Sequence, residues 1–241
     1  MPSGPVLSAA TNPWFSWDYL ERNGADVLRY TEQHVSLTVQ AVLIAFVVAL
    51  PLAALAHLRP RLAGPVLAVT GVLYTIPSLA LFAVLAPVTG IGRTTVLIGL
   101  VVYALLVLVR NVLVGLQGVD PAVRDAARGM GYGRLRMLVG VELPQAVPAV
   151  VTGLRLATVS TVALVTVGVV VGYGGLGQLM FRGFRSNYHA EIMTATVLCL
   201  VLALVADLVL ALLGRLLTPW RRTSRTPQVA SGAHEEAAWT S

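Results

Sequence analysis

Residues 119–144 read Val119-Asp-Pro-Ala-Val-Arg-Asp-Ala-Ala-Arg-Gly-Met-Gly-Tyr-Gly-Arg-Leu-Arg-Met-Leu-Val-Gly-Val-Glu-Leu-Pro144. Asp120 is placed to cap a helix by accepting from its orphan amides, and Pro121 suits the first helical position. Ala122, Val123, Ala126, Ala127 and Met130 then give a compact face of small residues. Asp125 falls in the early turns, where a carboxylate suits the helix dipole. Gly129, Gly131 and Gly133 stop the helix, because glycine takes the left-handed conformation that ends one. A second short helix follows from Arg134, and Leu143-Pro144 ends it. On these residues alone the stretch is either an ordinary interhelix loop or a knob that inserts into a partner's groove.

On either side of this stretch the chain turns apolar. Over 241 residues it is 56% hydrophobic and 12% charged, where soluble domains carry about 25% charged residues. That excludes a water-soluble core and points to a bilayer, where each spanning helix needs about 20 apolar residues. Five spans are expected at about 34–57, 62–88, 94–114, 146–171 and 192–217. They must be helices, since backbone groups in lipid need internal partners. The fold class is therefore all-α integral membrane, with a transmembrane domain at 34–218. Residues 1–33 form an external segment without a signal-peptide core, and 219–241 a polar, disordered cytoplasmic tail.

All 17 basic residues are arginine. With the N-terminus outside, Arg59, Arg61, Arg110, Arg124, Arg128, Arg134, Arg136, Arg215, Arg221, Arg222 and Arg225 fall on the cytoplasmic side. Only Arg22, Arg29, Arg93, Arg182 and Arg185 fall outside. That asymmetry predicts N-out, C-in, with the 119–144 stretch cytoplasmic. The net charge of +6 thus reads as membrane orientation, not nucleic-acid binding. Trp14, Phe15, Trp17 and Tyr19 then lie at the outer interface, as an aromatic belt or a docking surface.

The stretch resembles the coupling-loop signature of ABC importer permeases: Glu-Ala-Ala, three residues, Gly, nine residues, Ile-x-Leu-Pro. Here Asp125, Ala126, Ala127, Gly131, Val141, Leu143 and Pro144 occupy those places, with Asp125 for glutamate and Val141 for isoleucine. Thr75-Ile-Pro-Ser-Leu-Ala80, Gly118-Val-Asp-Pro121 and Gly172-Tyr-Gly-Gly-Leu-Gly177 are similar to osmoprotectant permeases in particular. The resemblance covers roughly 30–215. It implies a type I ABC importer permease fold of five spans. It implies import of glycine betaine, carnitine, choline or proline betaine, with methionine and other amino-acid importers as the alternative. It also implies three partners: an ABC ATPase gripping the coupling residues, an external substrate-binding protein, and a second permease, identical or paralogous. No G-x-x-x-x-G-K-[ST] loop is present, so ATP and Mg are expected on the partner ATPase and no cofactor on this chain.

Other features were weighed as sites. Gly172-x-Gly174-x-x-Gly177 fits a dinucleotide fingerprint literally, but it follows a membrane helix and no βαβ unit exists. An outer-side break is the better reading, with Tyr173, Gly174 and Gly175 beside the pathway and Tyr173 able to face a cation. Pro77 and Ser78 interrupt the second span, as a packing kink or as an unwound part of the pathway. Arg155 and Asp207 lie about 15 Å deep. Charges there pair or face water, so the two are expected to approach each other, the alternative being a snorkelling Arg155 and an Asp207 bonded to Thr158 or Thr161. The four histidines show no ligand spacing, so no metal is expected. No nucleophile–base constellation marks an enzyme. An ion-coupled secondary transporter would favour more intramembrane acids than Asp207 alone.

Overall fold

The computed structural model describes residues 12–219, so most of the expected tail lies outside the described residues. Among them every regular element is helical. In chain order these are α1 (Trp17–Leu58), α2 (Pro60–Thr75), α3 (Ser78–Thr89), α4 (Arg93–Gln117), α5 (Pro121–Gly129), α6 (Arg134–Met137), α7 (Leu143–Val167), α8 (Leu176–Ser186) and α9 (His189–Leu217). A π turn, Leu138–Glu142, joins α6 to α7, and a 3-10 turn, Gly168–Val171, extends α7. Four stretches are long and apolar enough to cross a bilayer: α1, α4, α9 and the run from Arg134 to Val171. The α2–α3 pair makes a fifth if the two helices are one broken span.

Four expectations need correction. The first helix does not begin near residue 34: α1 runs 42 residues from Trp17. Ser16 Oγ accepts from the Tyr19 amide at 3.2 Å, and Asp18 pairs with Arg22 at 2.7 Å. Polar residues outside a bilayer end a span without ending a helix. Second, of the two readings of Pro77 the packing kink is overturned: the helix is interrupted there, with a 95° bend. Ile76 and Pro77 are extended, as the residue before a proline prefers, and the Tyr103 hydroxyl donates to the carbonyl that Ile76 leaves free. Phe82 of α3 packs on Gly99, where an added Cβ would stand 2.5 Å from its ring.

Third, Leu143-Pro144 does not end the second loop helix. The helix passes into α7 through the π turn, where the Leu143 amide reaches back to Leu138 O. Pro144 has no amide and its ring crowds the carbonyl four residues back. The wider turn removes that conflict, and Pro144 enters at the start of α7. Fourth, Gly129 is helical and Gly133 extended, so Gly131 alone takes the left-handed turn, at φ +79°.

The core lies along α1, α4 and α7. Ala45, Ala49 and Ala53 of α1 are fully buried against Leu108, Val109, Val112 and Leu116 of α4 and Ala157 of α7. Small residues at four-residue spacing let backbones approach, which is how helices associate where lipid is as apolar as leucine. A second cluster, farther toward the start of α1, holds Leu37, Phe82, Leu100 and Val165. By contrast α9 exposes Leu200, Leu204, Leu208, Leu212 and Leu216, an apolar stripe suited to lipid.

Candidate functional site

The loop hairpin is built as its residues dictate. Asp120 Oδ1 accepts from the Ala122 amide at 2.8 Å, and Pro121 opens α5. At the far end the Gly131 amide bonds Arg128 O at 2.9 Å and the Tyr132 amide bonds Ala127 O at 3.1 Å. These paired bonds around a left-handed glycine are the Schellman arrangement that satisfies the last carbonyls of a helix. Arg136 then stacks over the Tyr132 ring at 4.4 Å, folding α6 back beside α5.

The resulting surface is two-sided. Asp125 and Ala126 are exposed, Asp125 paired with Arg128 at 2.8 Å. Met130, Leu135 and Val139 are also exposed, so the outward side combines charge with large apolar groups. Only Ala127 and the partly covered Arg124 of α5 turn inward. The expected coupling residues do not form one patch. Asp125, Ala126 and Gly131 face out and Ala127 faces in. Val141, Leu143 and Pro144 belong to the entry of α7. Val141 and Pro144 line an open cavity of about 900 Å³ with Asn111, Gln145 and Thr152, while Leu143 packs on the core.

Inside the membrane domain, Arg155 Nε donates to Asp207 Oδ1 at 2.7 Å and Nη2 to Oδ2 at 2.8 Å. This two-pronged geometry, the strongest for a guanidinium and a carboxylate, joins α7 to α9. Thr158 instead bonds Leu154 O of its own helix at 2.7 Å.

The glycine run after α7 is a tight junction. Gly172 and Gly175 have φ of +76° and +52°. Gly174 and Gly175 are buried and Tyr173 half-buried. A Cβ on Gly175 would stand 2.7 Å from His34 Cβ. The buried His34 ring accepts from the Leu176 amide at Nδ1, 3.3 Å away. Nε2 therefore carries the proton and donates to Val162 O at 3.0 Å. One side chain of α1 thus holds both α7 and α8. Pro77 and Ser78 sit at the α2–α3 break, and neither they nor Tyr173–Gly175 line the 900 Å³ cavity.

At the end of the bundle where α1 begins, Trp14 stacks on His189 at 4.3 Å, and the Asn12 side chain bonds Asn187 O and the His189 amide at 2.6 and 3.0 Å. Arg182 of α8 bonds Glu191 at 2.5 Å and Asp26 at 3.2 Å. Burial alone would lower the affinity of Arg182 for its proton, but these acceptors raise it. Burial, then the Glu191 carboxylate, pushes the Tyr19 phenol up to about 12.

Sequence reasoning missed three groups. Buried Glu142 and its half-buried neighbours His57 and Arg124 form a polar cluster. The other two are His34, one of four histidines without ligand spacing, and Tyr103, which lies inside an apolar run. The available signal for Glu142 was an acid between Val141 and Leu143 at the mouth of an apolar run. Among the described residues no group of three or more His, Cys, Asp or Glu could hold a metal.

Residues 41–223 match the family described as Binding-protein-dependent transport system inner membrane component. The chain belongs to that family. This permease is 38% identical to the glycine betaine/carnitine/choline transport system permease protein OpuCD of Bacillus subtilis, over 85% of its own length and 90% of the relative's. It is 34% identical to the osmoprotectant import permease protein OsmW of Salmonella typhimurium, over 83% and 96%. Among solved structures, the inward-facing MetNI methionine ABC transporter matches with a TM-score of 0.74 and 26% identity, over 80% of the permease and 96% of that chain. The permease is thus a multi-pass transport component of the ABC importer type and not an enzyme.

Proposed function

We propose that this permease imports a quaternary-ammonium osmoprotectant (glycine betaine, carnitine, choline or proline betaine) under the drive of a separate ATPase. One observation carries the reading: the spaced Asp125-Ala126-Ala127…Gly131…Val141-x-Leu143-Pro144 pattern runs from a capped hairpin into the entry of α7, with Asp125 and Ala126 facing solvent. In this reading the N-terminus is outside and the hairpin is cytoplasmic. The ATPase, holding ATP and Mg, grips Asp125, Ala126 and the exposed Met130. A binding protein delivers substrate to the outer face where residues 12–19 meet 187–189. A second permease, the same chain or a paralogue, completes the pathway. The break at Pro77 and Ser78 borders that pathway, and Tyr173, Gly174 and Gly175 shape its outer end. ATP binding and hydrolysis bias two states by differential affinity. The substrate class is supported by relatives named for those compounds at 38% identity.

The second reading, a methionine or other amino-acid importer, is favoured by the MetNI likeness, at lower identity. Uptake into proteoliposomes holding the permease, its ATPase and its binding protein tests both. The expected result is uptake of labelled glycine betaine or choline that needs ATP and the binding protein. Uptake of methionine with no competition by betaine selects the second reading. Uptake driven by an ion gradient without the ATPase overturns both.

A further inference from the structure

We infer that Glu142 is a positioning residue for coupling: it ties the α5 hairpin to the inner end of α1 and to the entry of α7, so that movement of α5 is carried into the membrane domain. The inference rests on the reading that the hairpin meets the ATPase.

Glu142 is 5% exposed and ends the π turn. Its Oε2 lies 2.9 Å from His57 Nε2, on the last turn of α1. Its Oε1 lies 3.1 Å from Arg124 Nε. The same guanidinium donates from Nη2 to Leu116 O at 2.7 Å and Gln117 O at 3.2 Å, at the end of α4. Four segments therefore meet at one carboxylate and one guanidinium. Arg124 directly precedes Asp125 yet points the other way, so one turn of α5 presents a face outward and a charged tether inward. Apart from Ala127, no other side chain of α5 is turned in.

The local geometry is suited to transmission rather than to stability. A buried charged pair is often replaceable by apolar residues without loss of stability, and its best-attested use is to fix a register or a switch. A π turn is a local widening that commonly marks functional positions, and here its last residue is the one turned inward. The Arg124–Glu142 contact is also not fully closed. Arg124 Nε is buried and within ion-pair distance, but it makes no aligned hydrogen bond. In the inferred coupling, rotation of α5 acts on this contact and through Glu142 on His57.

The test is the number of substrate molecules imported per ATP hydrolysed by the permease reconstituted with its ATPase and binding protein. Glu142→Gln keeps the shape and removes the charge. It should lower the ratio by at least about fivefold, the lower end of ordinary coupling between sites. ATPase copurification and thermal stability should stay near wild type. Arg124→Gln should do the same, the double variant should be no worse than either single one, and Arg124→Lys should recover part of the ratio. An unchanged ratio in Glu142→Gln overturns the inference. So does a parallel fall of transport and hydrolysis, or losses that add in the double variant, either of which marks a structural role. If Glu142→Gln does not accumulate in the membrane, Arg124→Gln decides by the same ratio, since Glu142 then keeps His57. A wild-type permease that does not assemble with the ATPase sinks the underlying reading instead, and is seen before any variant is made.

Discussion

Two glycines in the hairpin, two residues apart, should respond to alanine with opposite signs. Gly131 has φ +79° and an added Cβ would meet nothing within 4 Å, so crowding plays no part and only the backbone conformation matters. A left-handed residue with a Cβ costs about 1–2 kcal/mol. Gly129 is helical and its Cβ would likewise meet nothing within 4 Å, so alanine there gains up to about 1 kcal/mol of helix propensity. The hairpin is a marginal local unit, held to the body mainly through Ala127 and Arg124, so strain in its turn shows as a smaller docking-competent population. A loss of 1–2 kcal/mol corresponds to about 5- to 30-fold in that population, and apparent affinity falls with it. Titrating labelled ATPase onto the permease in lipid nanodiscs measures this directly. Gly131→Ala should weaken binding by as much as that factor and regain transport at saturating ATPase, while Gly129→Ala should bind as tightly as wild type or tighter. Gly131→Asp adds a charge beside Met130 and should lose transport even at saturation while remaining membrane-inserted. Equal affinities for the wild type and both alanine variants, or shifts of the same sign, would show that the left-handed turn does not set the docking surface.

The Arg155–Asp207 pair should behave as a unit. Replacing either with alanine leaves a lone charge at membrane depth and should reduce the accumulated, folded permease, while replacing both with leucine restores it; equal losses in all three, by fluorescence-detected gel filtration, would refute pairing. Gly175→Ala places a Cβ 2.7 Å from His34 Cβ, with a φ of +52°. It should destabilise by about 1–3 kcal/mol from overpacking alone, read as a lowered thermal midpoint, whereas Gly64→Ala, which meets nothing within 4 Å, should not.

Much of this architecture was legible because the bilayer imposes it. Apolar runs located α4, α7 and α9 to within a few residues, since hydrocarbon thickness sets their length. Asp120, Pro121 and Gly131 announced the start and stop of α5, because caps and left-handed turns act through one residue at a time. The remainder depended on contacts between distant residues. Pro77 signalled a break, but the 95° bend needs Tyr103 to satisfy Ile76 and Gly99 to admit Phe82. The α8 helix was read as loop, because a short amphipathic helix outside the membrane carries no long apolar run. Its packing on α7 comes from Gly177, where a Cβ would meet the Thr166 backbone. Glu142 was invisible as a site because one acid in an apolar run has no spacing to read; its partners lie 18 and 85 residues away.

The unexpected length of α1 changes how the two ends of the permease relate. It is an unbroken helix from Trp17 to Leu58, Pro51 included. His34 on this helix holds the junction of α7 and α8, and His57 on the same helix meets Glu142 beside the hairpin. At 1.5 Å per residue the two histidines stand about 35 Å apart, somewhat more than the roughly 30 Å hydrocarbon core of a bilayer. Toward His57 the helix lies on α4 through Ala45, Ala49 and Ala53, a seam of small side chains. Nearer His34 the contact is of another kind: Leu37 packs with Val96 and Leu100 of α4, and Gln40 Oε1 accepts from Arg93 of α4 at 2.5 Å. The α7–α8 junction and the hairpin are therefore joined through one unbroken helix, so on the proposed coupling a substitution at His57 should be felt at His34 as well.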